Sequence, residues 1–246
     1  MGANRLQLNA AKTDILRCSS QRRVDQLPSH HFSSVGPSSV VRNLGVRIDV
    51  GLTMSTHITK VVAGCFASLR QLRIVRRSLS HESFARLVVA LILSRLDYCN
   101  RVLAGLPTSQ LRRLQSVFHV TARLIHGVRR HDHVTPLLQQ LHWLTMPGRV
   151  NLKLCVLVYR CLHGLGPEYF SEDFKLVSKI HSLQRLRSAS STDVVVPSTS
   201  SLVDHAFPVA GAREWNALPP KVTPRRPYLF ISATSENFVF QRELRQ

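Results

Sequence analysis

The stretch "VVRNLGVRIDVGLTMSTHITKVVAGCFASLRQLRIVRR", Val40 to Arg77, changes its hydrophobic period halfway along, and that change decides the fold class. Through "VVRNLGVRIDV" the apolar residues roughly alternate, the pattern of a strand or hairpin, with Gly45 as its break. From His57 onward they recur every three or four positions. Ile58, Val62, Cys65, Leu69 and Leu72 fall on one face of a helix expected from about Thr56 to Arg77, and Arg70, Arg73, Arg76 and Arg77 lie on its charged face.

Helical signals continue toward the C-terminus. Ser80 suits an N-cap for a helix in which Phe84, Leu87, Val88, Leu91, Ile92 and Leu96 make a broad apolar stripe, expected to be central, mostly buried and to end near Gly105-Leu106-Pro107. Thr108 or Ser109 opens another helix with Leu111, Leu114, Phe118 and Ile125 on one face, and Gly127 stops it. Thr135-Pro136 reads as an N-cap and first-turn pair for a short helix through Leu141. Pro147 begins a further one, with Val150, Leu154, Leu157 and Cys161 in its stripe and a stop at Gly164 to Pro167.

The ends are less regular. "DILRCSS", Asp14 to Ser20, reads as a strand, and a Ser, Pro and His-rich loop follows at Pro28 to Ser39. After about Lys179 the pattern weakens into a Ser, Arg and Pro-rich tail laid over the helical body, with Val194 to Val196 as its one short strand signal. The expectation is a mainly α protein with a small α+β N-terminal portion, divided as 1–55, a helical 56–178 and an irregular tail, with a short strand and helix, at 179–246.

Charge points to the partner. Thirty-three Lys and Arg against 14 Asp and Glu leave a formal charge of +19. So basic a chain repels itself unless an anion is near, and nucleic acid is the commonest such partner, ahead of a membrane surface. Arg73, Arg76 and Arg77, then Arg112 and Arg113, then Arg129 and Arg130 fall at expected helix ends or exposed faces, suited to phosphate contacts without sequence readout. The N-terminus "MGANRLQLNA" has no apolar signal core, and "LVVALIL", Leu87 to Leu93, is far too short for a span. An intracellular place, nucleus or cytoplasm, is therefore expected, with no membrane partner. Five cysteines form no C-x-x-C pair and sit mostly in helical patterns, as reduced thiols do.

Catalytic chemistry is harder to find. A polymerase needs paired carboxylates to hold two metal ions, yet the chain has no Asp-Asp pair, and Asp14, Asp25, Asp49 and Asp97 are isolated in sequence. His131-Asp132-His133, with His126 and His142 nearby, reads as a histidine cluster and not a zinc site, since no further ligand arrives at a standard spacing. There is no nucleophile elbow and no P-loop.

Several long words, in order, resemble the C-terminal part of the reverse transcriptase of non-LTR retrotransposons, the LINE and jockey-like elements. "NRLQLNAAKT" (Asn4 to Thr13) resembles the N-x-x-K-T block that follows that family's catalytic turn, and "NLGVRID" (Asn43 to Asp49) its primer-gripping hairpin. "SRLDYCNRVLAGLP" (Ser94 to Pro107), "RRHDHVTPLLQQLHWL" (Arg129 to Leu144), "KLCVLVYRCLHGLGPEY" (Lys153 to Tyr169) and "AFPVAGAREWNALP" (Ala206 to Pro219) resemble stretches beyond the palm. Thr145 and Met146, the irregular "HHFSSVGPSS" and most of Thr223 to Gln241 depart from the pattern, as drift in an inactive copy does.

The resemblance implies a palm remnant, then a thumb-like helical bundle and a tail, with the fingers and the carboxylate-bearing palm motifs missing. It places Asn9, Lys12 and Thr13 near the nucleotide and Asn43, Leu44, Gly45 and Val46 at the primer. It implies a truncated or degenerate RNA-directed DNA polymerase that no longer polymerises and binds RNA or DNA without sequence specificity. No cofactor is expected in this chain, although the complete family enzyme would use Mg²⁺. The missing palm and fingers, or another protein, are further expected partners. The alternative is a non-catalytic helical module that docks other proteins.

Overall fold

The computed structural model of the chain describes residue 9 and residues 12–18, 36–180, 193–198 and 206–218. The expected features over residues 4–8, 28–35, 181–192 and 223–241, and Asp25, lie outside the described residues. The described chain is mostly helical with one two-stranded sheet. It groups into two compact units, residues 1–63 and 64–246.

In the first unit, β1 (Val40–Asn43) and β2 (Val46–Asp49) pair antiparallel, with Asn43 opposite Val46. Leu44 and Gly45 form the two-residue loop with φ of 45° and 85°, the positive-φ pair that matches the twist of a tight hairpin. Leucine at such a position is uncommon, and its side chain is 82% exposed. The strand expected from Asp14 is absent among the described residues; Ile15 makes one isolated bridge to Pro37. Proline has no N–H with which to extend a ladder. Asp49 ends the hairpin and starts α1 (Ser55–Val75): its carboxylate accepts from the Met54 amide at 2.8 Å, the Thr53 amide at 3.2 Å and the Thr53 hydroxyl.

In the second unit, a 3₁₀ turn (Arg76–Ser78) follows α1, and Ser80 caps α2 (His81–Val88) by accepting from the Ser83 amide at 3.2 Å. The broad-striped helix departs from expectation twice. A π-helical segment, Val89–Leu93, rotates the stripe, so that Ile92, Leu93 and Leu96 are buried while Val89 and Leu91 are exposed. The helix then stops early, after α3 (Ser94–Asp97), where Cys99 turns left-handed with φ 51° and a 3₁₀ turn (Asn100–Leu103) buries Asn100 and Leu103.

α4 (Thr108–His126) ends at Gly127, φ 72°, whose amide and that of Val128 both donate to the Arg123 carbonyl. α5 (Thr135–Gln140) begins with Thr135 as its first helical residue, and Val134 takes the cap position without a side-chain bond. α6 (Met146–Leu162) is capped by Thr145, which accepts from the Gly148 amide at 3.4 Å. A short α7 (Glu168–Ser171) follows.

One ionic node ties these helices together. Asp97 accepts from Arg149 Nε at 2.8 Å and from Arg149 Nη2 in a fork, and from Asn100 Nδ2 at 3.3 Å; Lys153 Nζ donates to its carbonyl at 2.8 Å. The same guanidinium lies 5.2 Å from the Phe118 ring centroid. Nearby, Gln115 on α4 accepts from the Met146 amide at 2.6 Å, satisfying an orphan donor of α6.

The last helix among the described residues, α8 (Phe207–Asn216), packs on α6 through Val158, Tyr159, Ala212 and Trp215, with Phe174 in the same cluster. The short strand expected at Val194 to Val196 reduces to one antiparallel bridge between Leu176 and Val194. Asn216 completes it: its Oδ1 accepts from the Val194 amide at 2.9 Å and its Nδ2 donates to the Val194 carbonyl at 2.8 Å.

Two substitutions test this packing. A Cβ on Gly211 would stand 2.9 Å from Val158 Cγ2 and 3.3 Å from Phe174 Cζ, and valine is stiff at χ1. Gly211→Ala should therefore lose about 1 kcal/mol despite its better helix propensity, and Val158→Ala in the same chain should cancel that loss in a double-mutant cycle. Asp97→Ala strands Arg149 and should cost about 2 kcal/mol in urea unfolding.

Candidate nucleic-acid interface

α1 places a residue on the same stripe every three or four positions, and Phe66, Leu69, Arg70, Arg73, Arg76 and Arg77 fall on one stripe of its C-terminal half and the turn beyond. On α4 and the loop after it, Val120, Arg123, Leu124, Gly127 and Arg130 follow the same spacing. The two stripes line one cleft of about 660 Å³, with Val128 at its edge. Six of its lining residues are arginine and none is acidic.

Two of the arginines build the cleft. Arg76 Nη2 donates to the Ile125 carbonyl at 3.3 Å, at the negative end of α4. Its guanidinium occupies the space beside Gly127, where a Cβ would meet Arg76 Nη2 at 2.4 Å. The left-handed backbone favours glycine there, and a side chain would also have to displace the Arg76 guanidinium. Arg123 donates through Nε and Nη2 to the Asp132 carbonyl at 3.2 and 3.1 Å, and the Asp132 carboxylate accepts from the Arg129 amide at 2.6 Å, which pins the loop. Arg70, Arg73, Arg77 and Arg130 are exposed and have no hydrogen bond or ion pair among the described residues. Concave, low-dielectric walls focus the field of such uncompensated cations.

Of the arginines singled out from sequence, Arg73, Arg76, Arg77 and Arg130 come together here. Arg112, Arg113 and Arg129 do not line the cleft; Arg113 donates to Gln110 Oε1 at 3.1 Å. Arg70 and Arg123 were not among the expected phosphate contacts. Their helical spacing with Arg73 and Arg130 was visible, but which stripe faces which is a tertiary fact.

The other site residues are placed as follows. Thr13 Oγ1 donates to the Asn9 carbonyl at 2.8 Å and the Lys12 amide donates to it at 3.0 Å, a turn that leaves Lys12 exposed. Asn43, Leu44 and Gly45 are exposed at the hairpin tip while Val46 is buried. Of the aspartates singled out from sequence, Asp49 caps the turn into α1 and Asp97 is held by Arg149. Among the described residues no group of three or more His, Cys, Asp or Glu side chains could hold a metal ion, the His131 to His133 stretch included. The cysteines form no disulfide; Cys65, Cys155 and Cys161 are buried, and burial pushes the Cys65 thiol up to about 11. No helix among the described residues is long and apolar enough to cross a membrane.

Comparison with known protein families, with curated proteins and with solved structures finds no match. The resemblance drawn from the sequence words therefore stands on those words.

Three histidines are held neutral. Burial lowers His57, helped by Arg47, whose amide donates to its Nδ1 at 3.4 Å. Burial and Arg123 lower His119, whose Nε2 lies 2.9 Å from Gln115 Nε2; because the Gln115 oxygen already takes the Met146 amide, that ring nitrogen must accept. Burial and then His81, 6.0 Å away ring to ring, lower His126, and a backbone hydrogen bond with Leu137 pulls the other way. His126 Nε2 is buried with no partner among the described residues.

A folded pKa below the unfolded value near 6.5 means that the unfolded chain takes up more protons as pH falls. Stability is thus fully present above about pH 6.5 and is lost below it. Thermal melts followed by circular dichroism should show a lower Tm at pH 5.5 than at pH 7.5; a flat or rising Tm would show these imidazoles to be solvated.

Proposed function

We propose that the chain is a nucleic-acid-binding segment related to the C-terminal end of a non-LTR retrotransposon reverse transcriptase, gripping RNA or DNA by its phosphates and without polymerase chemistry of its own. The observation that carries this reading is the cleft in which Arg70, Arg73, Arg76, Arg77, Arg123 and Arg130 converge with no acid among them. Phosphates satisfy guanidinium forks with two parallel hydrogen bonds, and contacts of this kind read charge and not sequence. The net charge of +19 supports the same reading over the whole chain.

In this reading the hairpin tip at Asn43 to Val46 and the Asn9, Lys12 and Thr13 turn correspond to the primer-gripping and nucleotide-proximal parts of the family, and the helical body to its thumb. No metal-assisted step is assigned to it. The competing reading, a protein-docking helical module, has no observation of comparable specificity behind it.

Binding to a fluorescent primer-template, followed by anisotropy between 50 and 200 mM salt, tests the proposal. Four to six phosphate contacts give a log–log slope of about −4 to −5, and affinity should fall by at least a hundredfold over that range. Replacing both Arg73 and Arg77 by Gln should flatten the slope by about two. Affinity that does not change with salt would falsify the reading.

A further inference from the structure

The cleft is not uniformly basic. Phe66, Val120 and Leu124 form apolar wall between the cationic rims, and Val120 is 40% exposed. A surface meant only for a duplex backbone has no use for that wall, because a duplex keeps its base faces stacked inside and offers phosphates and groove edges. Size argues the same way. Clefts of roughly 300–1,000 Å³ suit a small organic molecule, so about 660 Å³ has room for a nucleotide or two.

Resting on the nucleic-acid reading above, we propose that this cleft takes a short single-stranded segment, with an unstacked base laid against Phe66, Val120 and Leu124 and its flanking phosphates on Arg73, Arg77 and Arg130. Every base has a π-face, so an aromatic and aliphatic wall accepts any of them, and the arginines track the backbone on either side. Arginine planes also stack on splayed bases, which lets the rim hold a second base. The absence of acid from the lining leaves the phosphates unopposed.

The test compares three labelled probes on the full chain at 100 mM salt: a 16-nucleotide oligothymidylate, the same backbone with abasic sites, and a blunt 16-base-pair duplex. Oligothymidylate should bind roughly tenfold more tightly than the abasic strand. It should also bind more tightly than the duplex. Phe66→Leu should weaken oligothymidylate several-fold more than it weakens the abasic strand, and Val120→Ser, on the exposed part of the wall, should do so in the same selective way should the first variant fold poorly. Equal binding of oligothymidylate and abasic strand, or tightest binding of the duplex, overturns the single-strand inference and leaves the phosphate-binding function standing. A preference for bases that neither variant disturbs removes the base from this cleft. No binding of any probe overturns both.

Discussion

The second unit depends on how Asp97 is used. Its forked ion pair with Arg149, laid over Phe118, joins the end of α3 to α4 and α6, and Lys153 one turn further along α6 closes on the same residue's carbonyl. The Asp97 and Arg149 side chains are 25% and 19% exposed, enough burial for the fork to resist screening and too little for the full desolvation cost of an interior pair. In a chain with so few acids, this has a second effect. Asp49 caps the turn into α1, Asp132 holds the loop after α4, and Glu82 pairs with Arg86. Acids engaged in holding backbone and helices in place are not at hand to neutralise the arginines of the cleft.

Much of the fold was legible because its determinants are local. The Leu44–Gly45 break, the Ser80 cap, the Gly127 stop and the Pro147 start each act within a few residues of themselves, and the structure realises each of them. The interruption between Val88 and Leu103 was not legible. Its apolar residues are evenly good for a helix, and what stops the helix is the burial of Asn100 and Leu103 and the hold of Arg149 on Asp97, 52 residues away. In the tail, what Gly211 does was likewise out of reach of local signals: it permits the close approach of α8 to α6.

The cleft was half legible. Charge imbalance and helical spacing marked arginine-rich faces, and four of the seven marked residues do meet. Sequence could not show that the α1 stripe faces the end of α4, nor that Arg76 and Arg123 are held by backbone carbonyls and so shape the cleft walls. Arg76 also answers a question of helix termination: α4 ends with carbonyls that need donors, and a side chain from another helix supplies one. Folding and charge display share that residue.

The clip that Asn216 makes on Val194 carries a consequence of its own. Val194 is buried, the Asn216 side chain holds both of its backbone groups, and backbone pairs join Asp193 to Val177 and Val195 to Lys175. The Val194 amide is tied to a side chain and not to a neighbouring strand, so its hydrogen exchange reports the docking of Asn216. An aspartate at position 216 would be the same size and would present an oxygen to the Val194 carbonyl in place of a donor. One atom's identity therefore bears on how firmly that stretch of chain stays docked.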